Sequence, residues 1–305
     1  MTFATLVSDR IDRLAGELAQ PARQVVQDLA SRQGKGLRRT LLQACAGPVD
    51  QEAVVRAATV VELVHLASLL HDDVVDRAPV RRRRPAAYTV VGEELALLAG
   101  LAVFGLAARE AADLGDQVNE IFSSAMANLA HGELLDVERA FDVDFSPADY
   151  DELIRHKTGE LFRLSCQLGG LAGGQPADQI AILAMFGLRL GAAFQILDDT
   201  LDFRLDNDKS AGTDHLLGLF GAPTLCALRA DRSGRLAALL LDPHFDVDSL
   251  PGVRAMVDSL GGLRAATVMA DAGHRAALDQ LDRLSDPDLR DRLAEVVRLE
   301  WRGLT

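Results

Sequence analysis

The chain has 305 residues, a formal net charge of -13 and aromatic residues at 5% of its positions. So acidic a protein is not expected to be a nucleic-acid scaffold, because such scaffolds gain affinity by neutralising phosphates with basic residues. Three cysteines, Cys45, Cys166 and Cys226, lie far apart without paired spacing, which is typical of buried thiols and not of a disulfide or zinc framework. We therefore expect a cytoplasmic protein with no nucleic-acid partner.

Helical composition recurs along the whole chain. Ala, Leu, Arg and Glu are abundant, clean alternating strand patterns are hard to find, and glycine or proline breaks separate the segments. One clear helix start is Ser146, a capping hydroxyl, followed by Pro147 and Asp149. The longest strongly apolar run, 95–108, has about 14 residues, fewer than the roughly 20 needed to span a bilayer. We predict one all-α domain over residues 1–305 with no transmembrane segment.

The first long apolar helix carries three carboxylates, Asp72, Asp73 and Asp76, at positions i, i+1 and i+4. At about 100° per residue, His65 falls within about 20° of Asp72 on a helical wheel. Ser68 and Asp76 fall about 40° to either side of Asp72. A narrow polar stripe on an apolar helix is typical of a segment that lines an interior cavity. This face of the helix is therefore a candidate functional surface.

A run of four arginines, Arg81–Arg84, follows the first acid cluster in a loop bounded by Pro79 and Pro85. Such a run alone is most often a solvated charge patch or a nucleic-acid contact. Beside a carboxylate cluster in an acidic protein, diphosphate binding is the better interpretation, because magnesium held by carboxylates takes its remaining ligands from water and phosphates. Further basic candidates stand at Lys35, Arg38, Lys157 and Lys209.

A second apolar helix carries a similar acid cluster, which consists of Asp198, Asp199 and Asp202. Residues at steps of four lead up to it along the helix: Gly187, Gly191 and Gln195. Interior glycines cost about 1 kcal/mol each relative to alanine, so they indicate either space for a ligand or close packing of helices. The residues alone leave both explanations open.

Both acid clusters indicate bound cations. Carboxylates one helical turn apart repel each other, and the repulsion is stronger in an apolar cleft than in water. One acidic turn is usually a solvated surface, but two such turns on two apolar helices favour metal binding. Hard carboxylate oxygens favour magnesium over zinc or copper. We expect the two clusters to line one cavity.

From about Gly34 to Leu228, the chain closely resembles the trans-isoprenyl diphosphate synthases, which make farnesyl, geranylgeranyl and longer polyprenyl diphosphates. The matching motifs are residues 62–76, 81–82, 132–133, 157–159, 194–202, Lys209 and 212–214. The resemblance implies a single large helical bundle of the isoprenoid synthase type with a central cavity, assembled as a homodimer. It also implies a magnesium-dependent prenyltransferase that condenses isopentenyl diphosphate with an allylic diphosphate.

The resemblance implies a role for each matching residue. About three magnesium ions would be bound once substrate is present. Their ligands would be Asp72, Asp76 and Asp198, with support from Asp73, Asp199 and Asp202. The allylic diphosphate would be held by Arg81, Lys157 and Lys209. The diphosphate of isopentenyl diphosphate would be held by Lys35, Arg38, His65 and Arg82. The reacting ends would be lined by Thr158, Phe194 and Gln195.

The implied reaction begins with departure of the allylic diphosphate, which leaves an allylic carbocation. The double bond of isopentenyl diphosphate attacks that cation, and loss of a proton gives a product longer by one isoprene unit. An apolar wall keeps water from quenching the cation. The reaction needs no nucleophilic serine or cysteine, and the sequence offers no persuasive catalytic triad.

Five positions depart from the family pattern. Gly36 replaces a basic residue and Arg39 a proline, while Arg83 replaces a glycine after the arginine pair. Leu101 stands where an aspartate is common, and Asp136 stands where a glutamine is often found. The predicted magnesium and allylic diphosphate positions are kept. We therefore expect activity to be retained and the departures to affect mainly the binding of isopentenyl diphosphate.

Two small residues, Ala67 and Ser68, precede the first aspartate by five and four positions. In the resembled family, aromatic residues at these positions act as a floor that limits product length. Small side chains there favour geranylgeranyl or longer products. The ideal helical wheel directs Ser68 toward the predicted cavity.

Three other functions compete with chain elongation. A class I terpene cyclase normally replaces the second acid cluster with an Asn/Ser/Glu motif, whereas this chain keeps its aspartates. An HD-type metal phosphohydrolase would leave the second cluster unexplained. A non-catalytic partner subunit tends to lose both clusters, so the remaining alternative is the catalytic subunit of a two-component prenyl synthase.

Overall fold

The computed structural model describes residues 1–32, 34, 36–48, 51–81, 84–204 and 213–302. Three predicted diphosphate ligands, Lys35, Arg82 and Lys209, lie outside the described residues. Their predicted roles stay predictions.

Helices account for most of the described chain, which confirms the predicted all-α class. The α-helices are α1 (Phe3–Ala15), α2 (Ala22–Ser31), α3 (Leu37–Ala46), α4 (Gln51–Val75), α5 (Ala87–Val91), α6 (Glu93–Ala112), α7 (Asp116–Glu138), α8 (Pro147–Ile154), α9 (Glu160–Ala172), α10 (Ala177–Arg204), α11 (Ala222–Ala230), α12 (Arg235–Leu240), α13 (Leu250–Ser259), α14 (Gly262–Leu281) and α15 (Pro287–Arg302). A π-helical turn covers Arg155–Gly159, and 3-10 turns cover Thr213–Leu217 and Val247–Ser249. Two very short strands, β1 (Val80–Arg81) and β2 (Arg84–Pro85), pair antiparallel.

Contacts between residues divide the chain into two compact units. The first consists of Met1–Met126, Arg163–Ala184 and Gln280–Thr305. The second consists of Ala127–Phe162 and Met185–Asp279. The prediction of one domain over residues 1–305 stays a prediction.

In the first unit, α4 is apolar on nearly all sides because neighbouring helices cover it. It packs chiefly on α6 and also contacts α1 and α3. Leu63, Val64 and Leu70 of α4 are fully buried. Gly100 lets α6 approach α4 closely, since a Cβ atom there would lie 2.5 Å from Cδ2 of His71. Close packing therefore fixes the helix that carries the first acid cluster.

The polar stripe predicted on α4 is the more accessible side of that helix. Its members are all partly exposed: His65, Ser68, Asp72 and Asp76. The apolar residues between them are buried for most of the helix length. The helical period inferred from the sequence is therefore correct.

Three helices are long and apolar enough to cross a membrane by length and composition alone, namely α4, α6 and α10. Their most apolar 18-residue windows are 72%, 44% and 61% buried in the protein, respectively. The sequence-based length limit was therefore too strict, because it ended each apolar stretch at isolated polar residues that the helices accommodate. Burial of the α4 and α10 windows is consistent with core helices, and the absence of a transmembrane segment stays a prediction.

In the second unit, α8 begins as predicted. The hydroxyl of Ser146 accepts a hydrogen bond of 3.2 Å from the backbone N–H of Asp149, and Pro147 is the first helical residue. The π-helical turn that follows packs closely on α10. A Cβ atom at Gly191 would lie 2.7 Å from Cα of Gly159, so close helix packing, not ligand space, explains this glycine.

Candidate active site

The first acid cluster presents two carboxylates on one side of α4. Asp72 and Asp76 are both partly exposed and lie one turn apart. The backbone N–H of Asp76 still donates a hydrogen bond of 2.8 Å to the carbonyl of Asp72, so the helical geometry continues one residue past Val75. This placement agrees with the prediction that the two side chains share a face.

Asp73, the middle residue of the first cluster, is buried and does not share the accessible face of Asp72 and Asp76. Its side chain is 1% exposed, and its Oδ1 accepts a hydrogen bond from Nε of Arg81. Its Oδ2 is buried without a hydrogen-bond partner. Burial raises the pKa of the Asp73 carboxyl, and the positive charge of Arg81 acts in the opposite direction. The structure therefore shows a contact between Asp73 and Arg81, and the predicted support of the metal ions by Asp73 stays a prediction.

A short hairpin holds Arg81 in place. Arg81 pairs with Arg84 across the two strands. Nη1 of Arg84 lies 3.4 Å from Oδ1 of Asp28, and Nη1 of Arg32 donates a hydrogen bond of 3.1 Å to the carbonyl of Pro85. Helix α2, which carries Asp28 and is directly followed by Arg32, thus anchors the hairpin that presents Arg81.

Two residues predicted to bind isopentenyl diphosphate are neighbours. Nη1 of Arg38 lies 3.2 Å from Nε2 of His65. Arg38 stands in the first turn of α3, which begins at Leu37. The preceding residue, Gly36, has a φ of 67°, in the left-handed region. The departure Gly36 therefore has a backbone role, since glycine adopts this conformation without steric cost.

The two predicted floor residues differ in burial. Ala67 is fully buried, whereas Ser68 is partly exposed on the side of α4 that carries His65. The Ser68 hydroxyl donates a hydrogen bond of 3.0 Å to the carbonyl of His65, so its polar group is satisfied within the helix. Of these two residues, only Ser68 lies on the accessible polar stripe of α4.

The second acid cluster repeats the pattern of the first. Asp198 and Asp202 are exposed and one turn apart on α10. Asp199 between them is bonded to the protein through both oxygens. Its Oδ1 accepts a hydrogen bond of 2.7 Å from Nε2 of Gln195. Its Oδ2 accepts hydrogen bonds of 2.6 Å from the Tyr150 hydroxyl and 2.9 Å from the backbone N–H of Ala222.

Asp199 therefore resembles Asp73 in that its carboxylate is bonded to neighbouring protein groups, and its predicted support of the metal ions stays a prediction. Burial raises the pKa of the Asp199 carboxyl, although its three donors favour the charged form. Burial and the nearby Asp199 raise the pKa of Tyr150 well above its usual range, so Tyr150 is a hydrogen-bond donor here. The sequence analysis did not identify Tyr150 as a site residue. The only feature of the sequence that draws attention to it is the rarity of tyrosine, which occurs twice in the chain.

Gln195 links Asp199 to the predicted reacting end. The Thr158 hydroxyl donates a hydrogen bond of 2.6 Å to Oε1 of Gln195, whose amide nitrogen binds Asp199. The ring of Phe194 packs on Phe162 with centroids 5.7 Å apart. The structure thus brings Thr158, Gln195 and Asp199 into one hydrogen-bonded chain.

Lys157 lies between two carboxylates. Its Nζ forms an ion pair with Asp136 and lies 3.5 Å from Oε2 of Glu133. Gly132 permits this approach of α7 to the π-helical turn, since a Cβ atom there would lie 2.6 Å from the backbone nitrogen of Lys157. The departure Asp136 is therefore the direct partner of a predicted diphosphate ligand, which the sequence did not reveal.

Negative charge accumulates around Asp202. Although Asp202 is exposed, partial desolvation of its carboxyl group, together with the carboxylates of Asp198, Asp199 and Asp214, raises its pKa to about 6. A cavity of about 60 Å³ adjoins it and is lined in part by Asp214, His215 and Arg254. A dication bound to Asp198 and Asp202 would relieve this repulsion. The donor set therefore fits a hard cation of the magnesium type.

The fold and the acid clusters define an all-α protein suited to a hard dication and an anionic substrate. Residues 19–251 match the family model described as polyprenyl synthetase. The nonaprenyl diphosphate synthase of Mycobacterium tuberculosis is 34% identical over an aligned length of 301, and the match covers 94% of this chain and 90% of that protein. This chain therefore belongs to the polyprenyl synthetase family.

Two further comparisons agree with this assignment. Component 2 of the heptaprenyl diphosphate synthase of Geobacillus stearothermophilus is 30% identical over 296 residues, covering 95% of this chain and 92% of that protein. The crystal structure of a polyprenyl synthase from Caulobacter crescentus CB15, complexed with calcium and isoprenyl diphosphate, matches with a TM-score of 0.87 and 28% identity. The match covers 97% of this chain and 92% of that one. The predicted family, the isoprenoid synthase fold and the activity of a chain-elongating prenyltransferase are confirmed.

Proposed function

We propose that this protein is a magnesium-dependent trans-prenyltransferase that condenses isopentenyl diphosphate with an allylic diphosphate to give a geranylgeranyl or longer all-trans product. One repeated arrangement carries the proposal. In each acid cluster the two outer aspartates are accessible one turn apart, while the middle aspartate is bonded into the protein. In such an arrangement the middle carboxylate anchors the helix, and the two outer carboxylates lie together on its accessible face.

The proposed metal ligands are the outer aspartates Asp72, Asp76, Asp198 and Asp202. About three magnesium ions, when bound with substrate, would neutralise the charge that develops on the departing diphosphate. Asp73 and Asp199 act indirectly in this scheme. Asp73 orients Arg81 through its Oδ1, and Asp199 orients α10 against Tyr150 and Ala222. Carboxylates held in fixed positions lose less entropy when they bind a cation.

The basic residues supply the remaining positive charge that binds the two diphosphates. Arg81 projects from the hairpin and Lys157 from the π-helical turn, and each is held beside at least one carboxylate. Such pairing keeps each basic side chain in place before the substrate arrives, although the carboxylate partly neutralises its charge. We propose that both bind the allylic diphosphate, together with Lys209. We assign Lys35, Arg38, His65 and Arg82 to the diphosphate of isopentenyl diphosphate.

The hydrogen-bonded chain of Thr158, Gln195 and Asp199 positions the reacting ends in our proposal. Because Asp199 accepts from the amide nitrogen of Gln195, the amide oxygen of Gln195 is directed to the Thr158 hydroxyl. This fixes the amide in one orientation. Phe194, on the preceding position of α10, supplies an apolar surface that excludes water from a carbocation.

Assembly and location extend the proposal. We infer a homodimer in the cytosol without a nucleic-acid partner. The similarity to a protein named component 2 supports one alternative, in which this chain is the catalytic half of a two-component synthase. Light scattering on the purified protein, combined with an activity assay in the absence of any partner, distinguishes the two. A dimer that is active alone supports the first arrangement.

The decisive experiment supplies the purified protein with magnesium, isopentenyl diphosphate and allylic diphosphates of increasing length, followed by mass analysis of the products. We expect elongation to products of geranylgeranyl length or more. The double substitution Asp198→Asn with Asp202→Asn should abolish it, while substitution of the exposed Asp9 on α1 should have no effect. Folded protein that elongates no starter would refute the proposal.

A further inference from the structure

Three side chains of the second unit, His131, Glu152 and His156, form a cluster that the proposed prenyl transfer does not use. Each offers one ligand atom, and these atoms all lie within 4.8 Å of one another. His131 and Glu152 are exposed, and His156 is partly exposed. The cluster is therefore open to solvent and to small solutes.

The backbone geometry that creates this cluster is specific. Glu152 and His156 are four residues apart where α8 continues into the π-helical turn, so they lie on one face. His131 reaches them from α7 because the next residue, Gly132, has no side chain. A Cβ atom on Gly132 would lie 2.9 Å from Cβ of His156. The two imidazole rings consequently meet nearly perpendicular, with centroids 5.0 Å apart.

Two imidazoles and one carboxylate form a ligand set for a transition metal. Imidazole nitrogen suits zinc, copper, iron and nickel, whereas magnesium and calcium prefer oxygen ligands alone. Metal–ligand distances of about 2.0–2.2 Å place ligand atoms roughly 3–3.5 Å apart around a zinc ion. Closing from the present limit of 4.8 Å needs only small rotations of side chains that are exposed or partly exposed.

We propose that His131, Glu152 and His156 bind a dication of the zinc class at a site separate from the acid clusters. Three protein ligands leave a fourth position for water or another small ligand. The bound ion would join α7 to the π-helical turn immediately before Lys157. The site would therefore stabilise the local backbone from which Lys157 projects, in addition to binding the metal.

Cobalt is a direct probe of this site, because nitrogen-ligated tetrahedral Co²⁺ absorbs visible light strongly and octahedral Co²⁺ held by oxygen ligands absorbs weakly. We would strip the full-length protein of metal, add excess magnesium to occupy the acid clusters, and titrate with Co²⁺. The expected result is a strong visible band that saturates near one equivalent. Zinc should displace the cobalt and remove the band.

Variants identify the ligands. His131→Asn, His156→Ala and Glu152→Gln should each weaken Co²⁺ binding by about tenfold or more. The matched control is His244→Ala, since His244 is exposed and its Nδ1 lies 3.3 Å from Oδ1 of Asp242. His244→Ala should bind Co²⁺ as the natural protein does. Because His131 and Glu152 are exposed, their variants should keep the natural circular dichroism spectrum even if His156→Ala does not.

Thermal unfolding provides a second readout, because a ligand that binds only the folded state raises the melting temperature. Zinc in the presence of magnesium should raise the melting temperature of the natural protein and of His244→Ala. It should not raise that of His131→Asn. Absence of the cobalt band in the natural protein, or its persistence in His131→Asn or Glu152→Gln, would overturn the proposal.

Discussion

The Tyr150 hydroxyl donates a hydrogen bond of 2.6 Å to Oδ2 of Asp199. The bond connects the start of α8 to the middle of the second acid cluster. The same oxygen accepts from the backbone N–H of Ala222, at the start of α11. One carboxylate oxygen therefore joins three helices and sets the position from which Asp198 and Asp202 project.

Replacing Tyr150 by phenylalanine tests this relationship. Tyr150 is buried, and its hydroxyl donates to the carboxylate of Asp199. Loss of this hydrogen bond to a charged acceptor should lower the free energy of unfolding by about 1.5–3 kcal/mol. Urea denaturation measures this change, and the magnesium concentration for half-maximal activity should rise as well. Tyr88→Phe is the matched control, since Tyr88 is the only other tyrosine. Equal effects of the two substitutions would contradict the assigned role of Tyr150.

The ion pair between Lys157 and Asp136 leads to a second prediction. Asp136 partly neutralises the lysine that is proposed to bind diphosphate. In the variant Asp136→Gln, Lys157 loses this competitor, so the KM for the allylic diphosphate should fall by roughly fivefold, which corresponds to about 1 kcal/mol. Steady-state kinetics with one allylic starter measures the effect.

Glu133→Gln is the matched control for that substitution. Glu133 lies farther from the lysine, with Oε2 at 3.5 Å from Nζ, so the same neutralisation should change KM less. A higher KM in Asp136→Gln would show instead that Asp136 is needed to hold Lys157 in its binding position.

Local periodicity explains why part of the site could be predicted. Asp72 and Asp76 share a face of α4 because the helical period alone places residues four apart on one side. The cap at Ser146 depends on three residues within four positions, Ser146, Pro147 and Asp149, and can be predicted from the sequence in the same way. The burial of the two middle aspartates cannot be predicted from the helical period. In the sequence alone Asp73 and Asp199 are indistinguishable from their neighbours, because their burial depends on tertiary packing.

The remaining contacts of the site could not be predicted, because they join residues that are far apart in the sequence. Tyr150 lies 49 residues from Asp199, and nothing in the sequence around either residue specifies their contact. The pair Asp136 and Lys157 depends likewise on the close approach of α7 to the π-helical turn. A π-helical turn shifts side chains by one position relative to an α-helix, and the sequence carries no reliable sign of it.

The raised pKa of Asp202 predicts a pH-dependent stability effect. An ordinary aspartate has a pKa of 3.8, and the folded protein raises that of Asp202 to about 6. Between these values the folded state holds a proton that the unfolded state has released. Stability therefore falls as pH rises through this window, and the full destabilisation persists above it.

The substitution Asp202→Asn should consequently raise the melting temperature of the metal-free protein at about pH 7.5, with a smaller increase at about pH 4.5. Calorimetry in the presence of a chelator measures both values. Magnesium should reduce the difference between the variant and the natural protein at the higher pH, because the ion neutralises Asp202 in the latter. Asp9→Asn, at an exposed position of α1, is the control. A stability gain that is independent of pH would contradict the electrostatic explanation.

The glycines within helices give a matched pair of predictions. A Cβ atom at Gly191 would lie 2.7 Å from Cα of Gly159, and backbone atoms cannot move aside easily. Gly191→Ala should therefore destabilise the protein by about 1–3 kcal/mol. Outside its own helical turns, no atom of the described residues lies within 4 Å of the corresponding position at Gly105 of α6. Gly105→Ala should stabilise by up to about 1 kcal/mol, since alanine is the better helix former. Urea denaturation measures both, and equal signs would contradict the packing argument.

Ser68 provides the test of product length. It is partly exposed on the same side of α4 as His65 and Asp72, whereas Ala67 is fully buried in the first unit. A phenylalanine at position 68 would occupy volume on the accessible stripe, so Ser68→Phe should shorten the longest product by at least one isoprene unit. Mass analysis of the products measures this shift.

Two matched substitutions separate a steric effect from general damage at that position. Ser68→Ala removes only the hydroxyl that donates to the carbonyl of His65, so it should leave product length unchanged. Ala67→Phe should instead destabilise the fold, because a large side chain forced into a packed core costs about 1–3 kcal/mol or more. If Ser68→Phe makes the same products as the natural protein, the partly exposed stripe of α4 does not limit chain length. The limiting residues must then lie on another helix.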